Sequence, residues 1–316
     1  METIIRKYLK HGADMLKPYE NVPNNSVYSF ESNGEGYIFK LFRSQYWPEN
    51  DKLQFVNAVL RQHKIPCAEL IVFTRDDPAY PNGYLIERKI EGVTADKITF
   101  SQAEEAAFYK QLATLVSEIH GIPLKGFGYI GNGDGGEDSM YACFVDEFDD
   151  RVECLEEKGV YTAGELQTMK EILMNTFKRF DDLPPVLCHG DLSKKNVIVQ
   201  ENGDLVLIDW DDAMGYNWMA DISRFTFWMK MTYSESEYSL FRGAFLEGYC
   251  GARKDEFDVF EKAYHNWLCN HIEKYIFHTY PLGNTNMMKP TANLNLLWAQ
   301  ILNHFFSRAF CCFCSK

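Results

Sequence analysis

The segment of residues 187–213, LCHGDLSKKNVIVQENGDLVLIDWDDA, contains polar side chains at a spacing typical of phosphoryl transfer. His189, Asp191 and Asn196 form the pattern H-x-D-x-x-x-x-N, and Asp209 follows Asn196 by thirteen residues. Transfer of a γ-phosphoryl group requires hard oxygen ligands for Mg²⁺ and a carboxylate that orients the attacking hydroxyl. Asn196 and Asp209 suit the metal, and Asp191 suits the hydroxyl.

Two short apolar runs must position these side chains. Residues 197–199 and 205–208 are predicted to be buried strands, and the sequence Glu-Asn-Gly between them predicts a hairpin. Such a hairpin returns the chain, so that Asn196 and Asp209 can converge on one point. His189 is interpreted as a residue that holds the catalytic loop through hydrogen bonds. The alternative is an ordinary turn at H-G-D and a strand that ends with solvated acids at I-D-W-D.

The motif HGDLSKKNVIV, followed by LIDWDDA and by Asp221 in MADISRF, resembles the aminoglycoside phosphotransferase and choline kinase family, relatives of the protein kinases. The resemblance implies an α+β, two-lobed protein-kinase-like fold. Its small N-terminal antiparallel β lobe with one helix would span residues 1–90, and a larger, mainly helical catalytic and substrate-binding lobe would span residues 91–316. The resemblance also implies that ATP binds between the lobes and that a hydroxyl of a small molecule is phosphorylated.

Lys40 lies in the second of two alternating, β-rich runs, residues 27–31 and 37–42. The sequence Ser-Asn-Gly-Glu-Gly between the runs predicts a hairpin. By resemblance, Lys40 corresponds to the lysine that holds the α- and β-phosphates of the nucleotide. The alternative is an edge-strand lysine that discourages aggregation.

Four further positions are predicted to contact the nucleotide. Asn25 and Ser26, in the sequence Pro-Asn-Asn-Ser, could cover the phosphates with backbone and small polar groups. By resemblance, the backbone from Glu87 to Lys89 would meet the adenine edge.

The partner of the strand lysine is left open. Relatives carry a carboxylate in the next helix that pairs with this lysine. Here Glu49 and Asp51 occur early in the predicted helix, no acid occupies its middle, and Gln54 is a third candidate. By resemblance, Asp211 contacts a second metal or the substrate, and a solvated turn acid is the alternative. Asp221 is expected to brace the catalytic loop through hydrogen bonds.

Acidic side chains are concentrated in the predicted larger lobe. Residues 1–90 carry 12 Lys and Arg against 11 Asp and Glu, whereas residues 91–316 carry 20 against 34. Residues 134–157 are the densest part, with ten acids and Arg151 as the one base. A negative lobe attracts cations, which would suit an aminoglycoside-like or choline-like amine, and repels nucleic acid. An ordinary acidic surface explains the same composition.

Length and composition agree with a compact protein of two lobes. The chain has 316 residues, of which 46% are hydrophobic. Because neither a signal peptide nor an uninterrupted apolar run of about 18 residues occurs, we expect a cytoplasmic protein without a membrane segment. The sequence C-C-F-C at residues 311–314 is interpreted as a loosely held apolar tail. The oligomeric state is not indicated.

Two alternatives accompany the prediction of an ATP- and Mg²⁺-dependent small-molecule kinase. The first is a protein kinase, but only eleven residues separate Asp209 from Asp221 and no A-P-E sequence follows, so we expect no platform for a peptide. The second is a catalytically silent, kinase-like binding or structural module. The unassigned helix carboxylate favours the silent module, and the presence of all four core polar residues opposes it.

Overall fold

The structure is a computed structural model that describes residues 1–20, 25–45, 47–49, 51–131, 133, 135–146, 163–265 and 267. Half of the acid-rich stretch 134–157 and the cysteine cluster 311–314 lie outside the described residues, as does Thr162, where the pattern Thr162-x-x-Glu165 predicts a helix cap.

The N-terminal lobe is built on an antiparallel sheet. Its five strands are β1 (Lys17–Pro18), β2 (Asn25–Ser32), β3 (Glu35–Phe42), β4 (Leu70–Thr74) and β5 (Tyr84–Arg88), in the spatial order β1-β2-β3-β5-β4. The predicted hairpin joins β2 to β3 through Asn33 and Gly34, which have φ angles of 54° and 77°. Both angles are positive, as a tight two-residue hairpin requires, and Asn and Gly tolerate them best.

The two faces of this sheet have different partners. Helix α1 (Glu2–Leu9) buries Ile4 and Ile5 in a cluster with aromatic side chains of β2, β3 and β5, including Phe39. On the other face, helix α2 (Lys52–Gln62) buries Leu53, Val56 and Leu60. The i, i+3, i+7 spacing of these residues puts them on one side of the helix. Lys40 lies on this second face and therefore points between the sheet and α2.

The C-terminal lobe is mainly helical. The pattern Ser101-x-x-Glu104 predicts a capping box, and helix α3 (Gln102–Ile119) begins there. The Ser101 hydroxyl accepts from the backbone N–H of Glu104, and the Glu104 carboxylate accepts from the backbone N–H of Ser101. The other named helices are α4 (Ala163–Lys178), α5 (Trp218–Thr232) and α6 (Glu235–Gly248). Residues 140–146 and 257–265 are also helical.

Two three-stranded sheets carry the catalytic segment. The first contains β6 (Val93–Thr94), β9 (Val197–Val199) and β10 (Leu205–Leu207), and the second contains β7 (Gly128–Tyr129), β8 (Val186–Cys188) and β11 (Met214–Tyr216). Strands β9 and β10 form the predicted hairpin, with Val197 opposite Leu207. The chain therefore enters β9 and leaves β10 at the same end of this small sheet.

Within the described residues, no helix combines the length and the apolar character that crossing a membrane requires.

Candidate active site

The β9–β10 hairpin brings Asn196 and Asp209 to the same end of the small sheet. Asn196 directly precedes β9, and the backbone N–H of Ile208, directly after β10, donates to its carbonyl over 3.0 Å. Asp209 then turns away with a φ of 65°, a left-handed conformation that aspartate tolerates better than most residues. The metal-ligand candidates are thus placed by local strand pairing.

Asp191 lies on the loop between β8 and β9. The Asn196 side-chain amide donates to the Asp191 carbonyl and to its Oδ2 atom, both over 2.9 Å. The exposed Lys195 places its Nζ 3.2 Å from the same Oδ2. Because 27% of the Asp191 side chain is still exposed, its carboxylate can reach an incoming molecule.

His189 uses both ring nitrogens within the loop. Its Nε2 lies 3.0 Å from the carbonyl oxygen of Ile208, and because a carbonyl only accepts, Nε2 must carry the proton. The unprotonated Nδ1 then accepts from the backbone N–H of Asp191 over 3.3 Å. The ring also packs against Trp210, with 4.6 Å between centroids. These contacts leave the imidazole no free nitrogen for proton transfer.

The buried carboxylate of Asp221, on the first turn of α5, accepts from the backbone N–H groups of His189 and Gly190 over 2.8 and 2.9 Å. His120 lies 3.1 Å from Asp221 and 2.8 Å from the hydroxyl of Tyr249. Burial opposes ionisation of Asp221, but these hydrogen bonds and the neighbouring histidines outweigh it and lower the pKa. Asp221 thus joins the catalytic loop to α5 through hydrogen bonds.

Asp221 and His120 also belong to a group of side chains of the types that bind metal ions. His120, Cys188 and Asp221 place ligand atoms within 4.8 Å of one another, and all three are buried. The Asp221 oxygens already accept the three hydrogen bonds described above. We therefore assign the cluster to support of the loop.

Lys40 is buried and contacts two carboxylates. Its Nζ lies 2.6 Å from Oδ1 of Asp209 and 2.7 Å from Oδ2 of Asp211. Burial of the ammonium opposes its charge, but the two carboxylates outweigh this and raise the lysine pKa. The pKa of Asp209 is lowered because Lys40 outweighs the effect of burial, whereas burial prevails at Asp211 and raises its pKa.

None of the three candidates left open for the partner of Lys40 contacts it. Glu49 pairs with Lys52. Asp51 lies exposed at the start of α2, and Gln54 donates from its side-chain amide to the backbone carbonyl of Phe73 over 3.0 Å. The inner side of α2 carries apolar side chains and no carboxylate. Asp211, from the turn after β10, pairs with Lys40 instead.

Lys52 is a buried cation that the sequence pattern did not indicate. Its ammonium is completely covered, donates to the backbone carbonyl of Asp211 over 3.1 Å and lies 3.8 Å from the ring centroid of Trp47. Burial is the main cause of its lowered pKa. One sequence feature could have indicated this burial: Lys52 is a single lysine next to apolar residues in the first turn of a helix that follows Trp-Pro.

Lys195 was also missed, although it lies inside the H-x-D-x-x-x-x-N motif. It follows Asp191 by four residues, and its proximity to that carboxylate could have been considered from the spacing alone.

The predicted nucleotide contacts are only partly brought together. Asn25 donates from its amide to Asp211 over 3.3 Å, which places the start of β2 over the site. Ser26 is half-buried in β2, opposite Leu41. The Lys89 ammonium pairs with Glu91, and its backbone N–H already donates to the carbonyl of Gly36 over 3.0 Å. This N–H is therefore engaged in the sheet.

Glu87 points into the cleft. In the β3–β5 pairing, Lys40 lies opposite Leu85 and Ile38 lies opposite Glu87, so all four side chains share one face. Burial raises the pKa of the Glu87 carboxyl to about 7, against the opposing effect of Lys40. The cleft is lined by Lys40, Leu53, Val56, Asn57, Leu60, Cys67, Ala68, Leu70, Leu85, Glu87 and residues 207–211.

The donor set fits a magnesium ion. Asn196 and Asp209 offer amide and carboxylate oxygens, which Mg²⁺ prefers, and 46% of the Asp209 side chain is exposed. Lys40, 2.6 Å from Asp209, supplies the compensating positive charge. The arrangement can therefore hold a divalent cation and the phosphates of a nucleotide next to the Asp191 carboxylate.

Comparison with known proteins identifies a family of enzymes. The sequence model described as the phosphotransferase enzyme family matches residues 16–260. No curated protein sequence matches the chain.

Three solved structures illustrate the likeness in fold. A thermostable mutant of aminoglycoside phosphotransferase APH(4)-Ia, in a ternary complex with AMP-PNP and hygromycin B, is 18% identical with a TM-score of 0.66, covering 88% of this chain and 92% of that chain. Ethanolamine kinase of Plasmodium vivax is 17% identical with a TM-score of 0.62, covering 93% and 84%. Choline kinase LicA of Streptococcus pneumoniae is 15% identical with a TM-score of 0.58, covering 96% and 99%. These likenesses confirm the predicted α+β kinase-like fold.

Proposed function

Because the chain belongs to the phosphotransferase enzyme family, we propose that it transfers the γ-phosphoryl group of ATP, with Mg²⁺, to a hydroxyl of a small molecule. Membership confirms the predicted family and enzyme class, a small-molecule kinase. The nucleotide is proposed because a solved structure of similar fold contains AMP-PNP. Structures of similar fold named for hygromycin B, ethanolamine and choline support a small hydroxyl acceptor.

The observation that carries the proposal is the ion pair of Lys40 with Asp209 in one cleft, next to the loop on which Asn196 bonds to Asp191. Lys40 holds the α- and β-phosphates, and Asn196 and Asp209 hold the metal, with Asp211 beside them. When bound, Mg²⁺ neutralises charge on the phosphoryl oxygens.

Asp191 carries out the proton chemistry in this proposal. Its carboxylate takes the proton of the acceptor hydroxyl while the hydroxyl oxygen bonds to the γ-phosphorus. The bond from that phosphorus to the β–γ bridging oxygen breaks, and ADP leaves with the electron pair. Lys195, 3.2 Å from Asp191, offers a positive charge to the transferred group. His189 and Asp221 hold the loop in place.

Further parts of the proposal concern setting and organisation. Residues 1–90 act as the nucleotide-binding lobe and residues 91–316 as the catalytic and substrate-binding lobe. Asn25, Ser26 and the Glu87–Lys89 segment surround the nucleotide. We place the enzyme in the cytoplasm. We also propose that it acts on small molecules and not on nucleic acid, because its net charge of −13 repels a polyanion.

Replacing Asp209 tests the proposal. We expect Asp209→Ala to lower Mg²⁺-dependent ADP release by at least about 100-fold, because removal of one preorganised charge costs that much in comparable sites. The assay follows ADP from Mg-ATP with a panel of hydroxyl compounds that includes choline, ethanolamine and aminoglycosides.

The matched control is Asp204→Ala, which removes an exposed aspartate from the turn of the same hairpin. It should retain full turnover, and circular dichroism should show both variants folded. Equal turnover in wild type and Asp209→Ala would refute the assignment of the site.

A further inference from the structure

Arg224, next to the catalytic loop, has no partner for its charge among the described residues. The residue is half-buried, and its Nε is covered and has no hydrogen-bond partner. Within the same part of the chain, its guanidinium forms neither a hydrogen bond nor an ion pair, although it can donate five N–H groups. An unpaired buried charge is costly, so a bound group that pairs with the guanidinium would remove this cost.

Asp212 is an acid in the same situation. Its side chain is half-buried, and within the described part of the chain its carboxylate accepts no hydrogen bond and forms no ion pair. Burial raises the pKa of this carboxyl, and nearby Arg224 opposes the effect. The two groups are thus close enough to influence each other, yet they do not form an ion pair within 4 Å.

Both residues lie beside Asp191. Arg224 follows Asp221 by three residues on α5, which places the two side chains on neighbouring positions of the helix surface, and Asp221 bonds directly to the catalytic loop. Asp212 packs its backbone against Gly190, the residue before Asp191. Burial opposes the charge of Arg224, but Tyr264 and the carboxylates of Asp212, Asp191 and Asp221 outweigh it and raise the pKa of the guanidinium.

We propose that Arg224 and Asp212 form the acceptor subsite and that the acceptor is a small hydroxyl compound with both a carboxylate and an ammonium group. Arg224 binds the carboxylate, for which its planar guanidinium is suited, and Asp212 binds the ammonium. The acceptor hydroxyl then lies against Asp191. This inference rests on the proposed function.

The charge pattern selects a zwitterion over simpler acceptors. An acceptor with only a positive charge would leave Arg224 unpaired inside the site. One with only a negative charge would pair with Arg224 but would leave Asp212 without a partner. A hydroxy amino acid satisfies both groups and adds no net charge to a crowded site.

A matched set of acceptors tests the inference on the full chain. L-homoserine carries both charges, propanolamine lacks the carboxylate, and γ-hydroxybutyrate lacks the ammonium; serine, ethanolamine, choline and kanamycin complete the panel. Of the two zwitterions, L-homoserine and serine, we expect the one with the higher kcat/KM to exceed its truncated analogues by about 100-fold. Each analogue leaves either Arg224 or Asp212 without a partner.

Variants identify the residues responsible. Arg224→Gln should raise the KM for the zwitterion about 100-fold and leave the KM for ATP unchanged, while Arg224→Lys restores part of the loss. Asp212→Asn should reduce the preference for the zwitterion over γ-hydroxybutyrate. Lys230→Gln, which removes a cation further along α5, is the control and should behave as wild type.

Two results would overturn the inference, and they are distinguishable. If choline or kanamycin is the best acceptor, turnover requires Asp209, and Arg224→Gln leaves the acceptor KM unchanged, the subsite is wrong while the proposed function stands. If wild type releases no more ADP than Asp209→Ala with every compound, the proposed function fails and the subsite fails with it.

Discussion

At the scale of single residues, the site is organised by charges that share partners. Lys40 contacts Asp209 and Asp211 at the same time, and the backbone of Asp211 accepts from Lys52. Two carboxylates therefore compete for one ammonium. Burial and the neighbouring charge of Asp209 prevail over Lys40 at Asp211 and raise its pKa, whereas Lys40 prevails over burial at Asp209 and lowers its pKa.

Glu87 gives a pH-dependent prediction at this scale. Its pKa is raised to about 7 in the folded protein, compared with about 4.3 for an unperturbed Glu. The folded state therefore keeps a proton that the unfolded state loses, so the contribution of Glu87 to stability is full below about pH 4.3 and is lost as the pH rises through 7. We expect Glu87→Gln to gain about 1–3 kcal/mol relative to wild type between pH 4.5 and pH 8.

Urea unfolding across this pH range measures the difference. Glu31→Gln, which removes an exposed carboxylate from the same sheet, controls for loss of a surface charge. A constant difference between Glu87→Gln and wild type at all pH values would show that the carboxyl is not held protonated.

At the scale of elements, the catalytic loop depends on close contact between two backbones. Gly190 has a φ of 80°, and a Cβ at this position would overlap the carbonyl oxygen of Asp212. The loop and the turn after β10 can approach each other only because no side chain intervenes. The glycine of H-G-D is therefore required by the packing of the site.

Substituting two glycines separates this contact from backbone strain. Gly203, in the turn of the catalytic hairpin, has a φ of 86°, but no atom of the described residues lies within 4 Å of the position that a Cβ would take. We expect Gly203→Ala to cost about 1 kcal/mol of folding free energy and to retain activity, since only the left-handed conformation is strained. Gly190→Ala should cost at least about 2 kcal/mol more and abolish ADP release, because backbone must move.

Urea unfolding measures the folding free energy of both variants, and the ADP assay measures their activity. If Gly190→Ala and Gly203→Ala have equal stability and activity, the contact between Gly190 and Asp212 is not tight.

At the scale of the whole molecule, one hydrophobic cluster extends across the predicted lobe boundary. It includes Phe42, Leu53 and Phe73 from the N-terminal side and Phe108 and Phe127 from the C-terminal side. A second, smaller cluster lies between α1 and the sheet. Because the larger cluster joins both sides, the lobes should support each other's stability.

We therefore expect calorimetry to show one unfolding transition for the full chain. Mg-AMP-PNP at about 100 times its Kd should stabilise the protein by about 2.7 kcal/mol, since the nucleotide binds the folded state. Lys40→Ala should reduce this gain at the same nucleotide concentration. Two separate transitions, with only one of them shifted by nucleotide, would show that the lobes unfold independently.

The sequence by itself determined the features that depend on neighbouring residues. The hairpin that joins Asn196 to Asp209, the capping box at Ser101 and the position of Lys40 in a strand all follow from local turn residues and alternation. Membership of the family followed from the same short motifs. These features are local because strand pairing across a short turn and helix capping involve few intervening residues.

Only the tertiary structure decided which distant charges meet. Lys40 pairs with Asp209 and Asp211, 169 and 171 positions further along the chain by number, and not with an acid of α2. The burial of Lys52, and the lack of a partner for Arg224 and Asp212 within the described residues, likewise depend on how α2, α5 and the turn after β10 pack. Periodicity shows which side of a helix is buried, but it contains no information about which charged group from another element will face it.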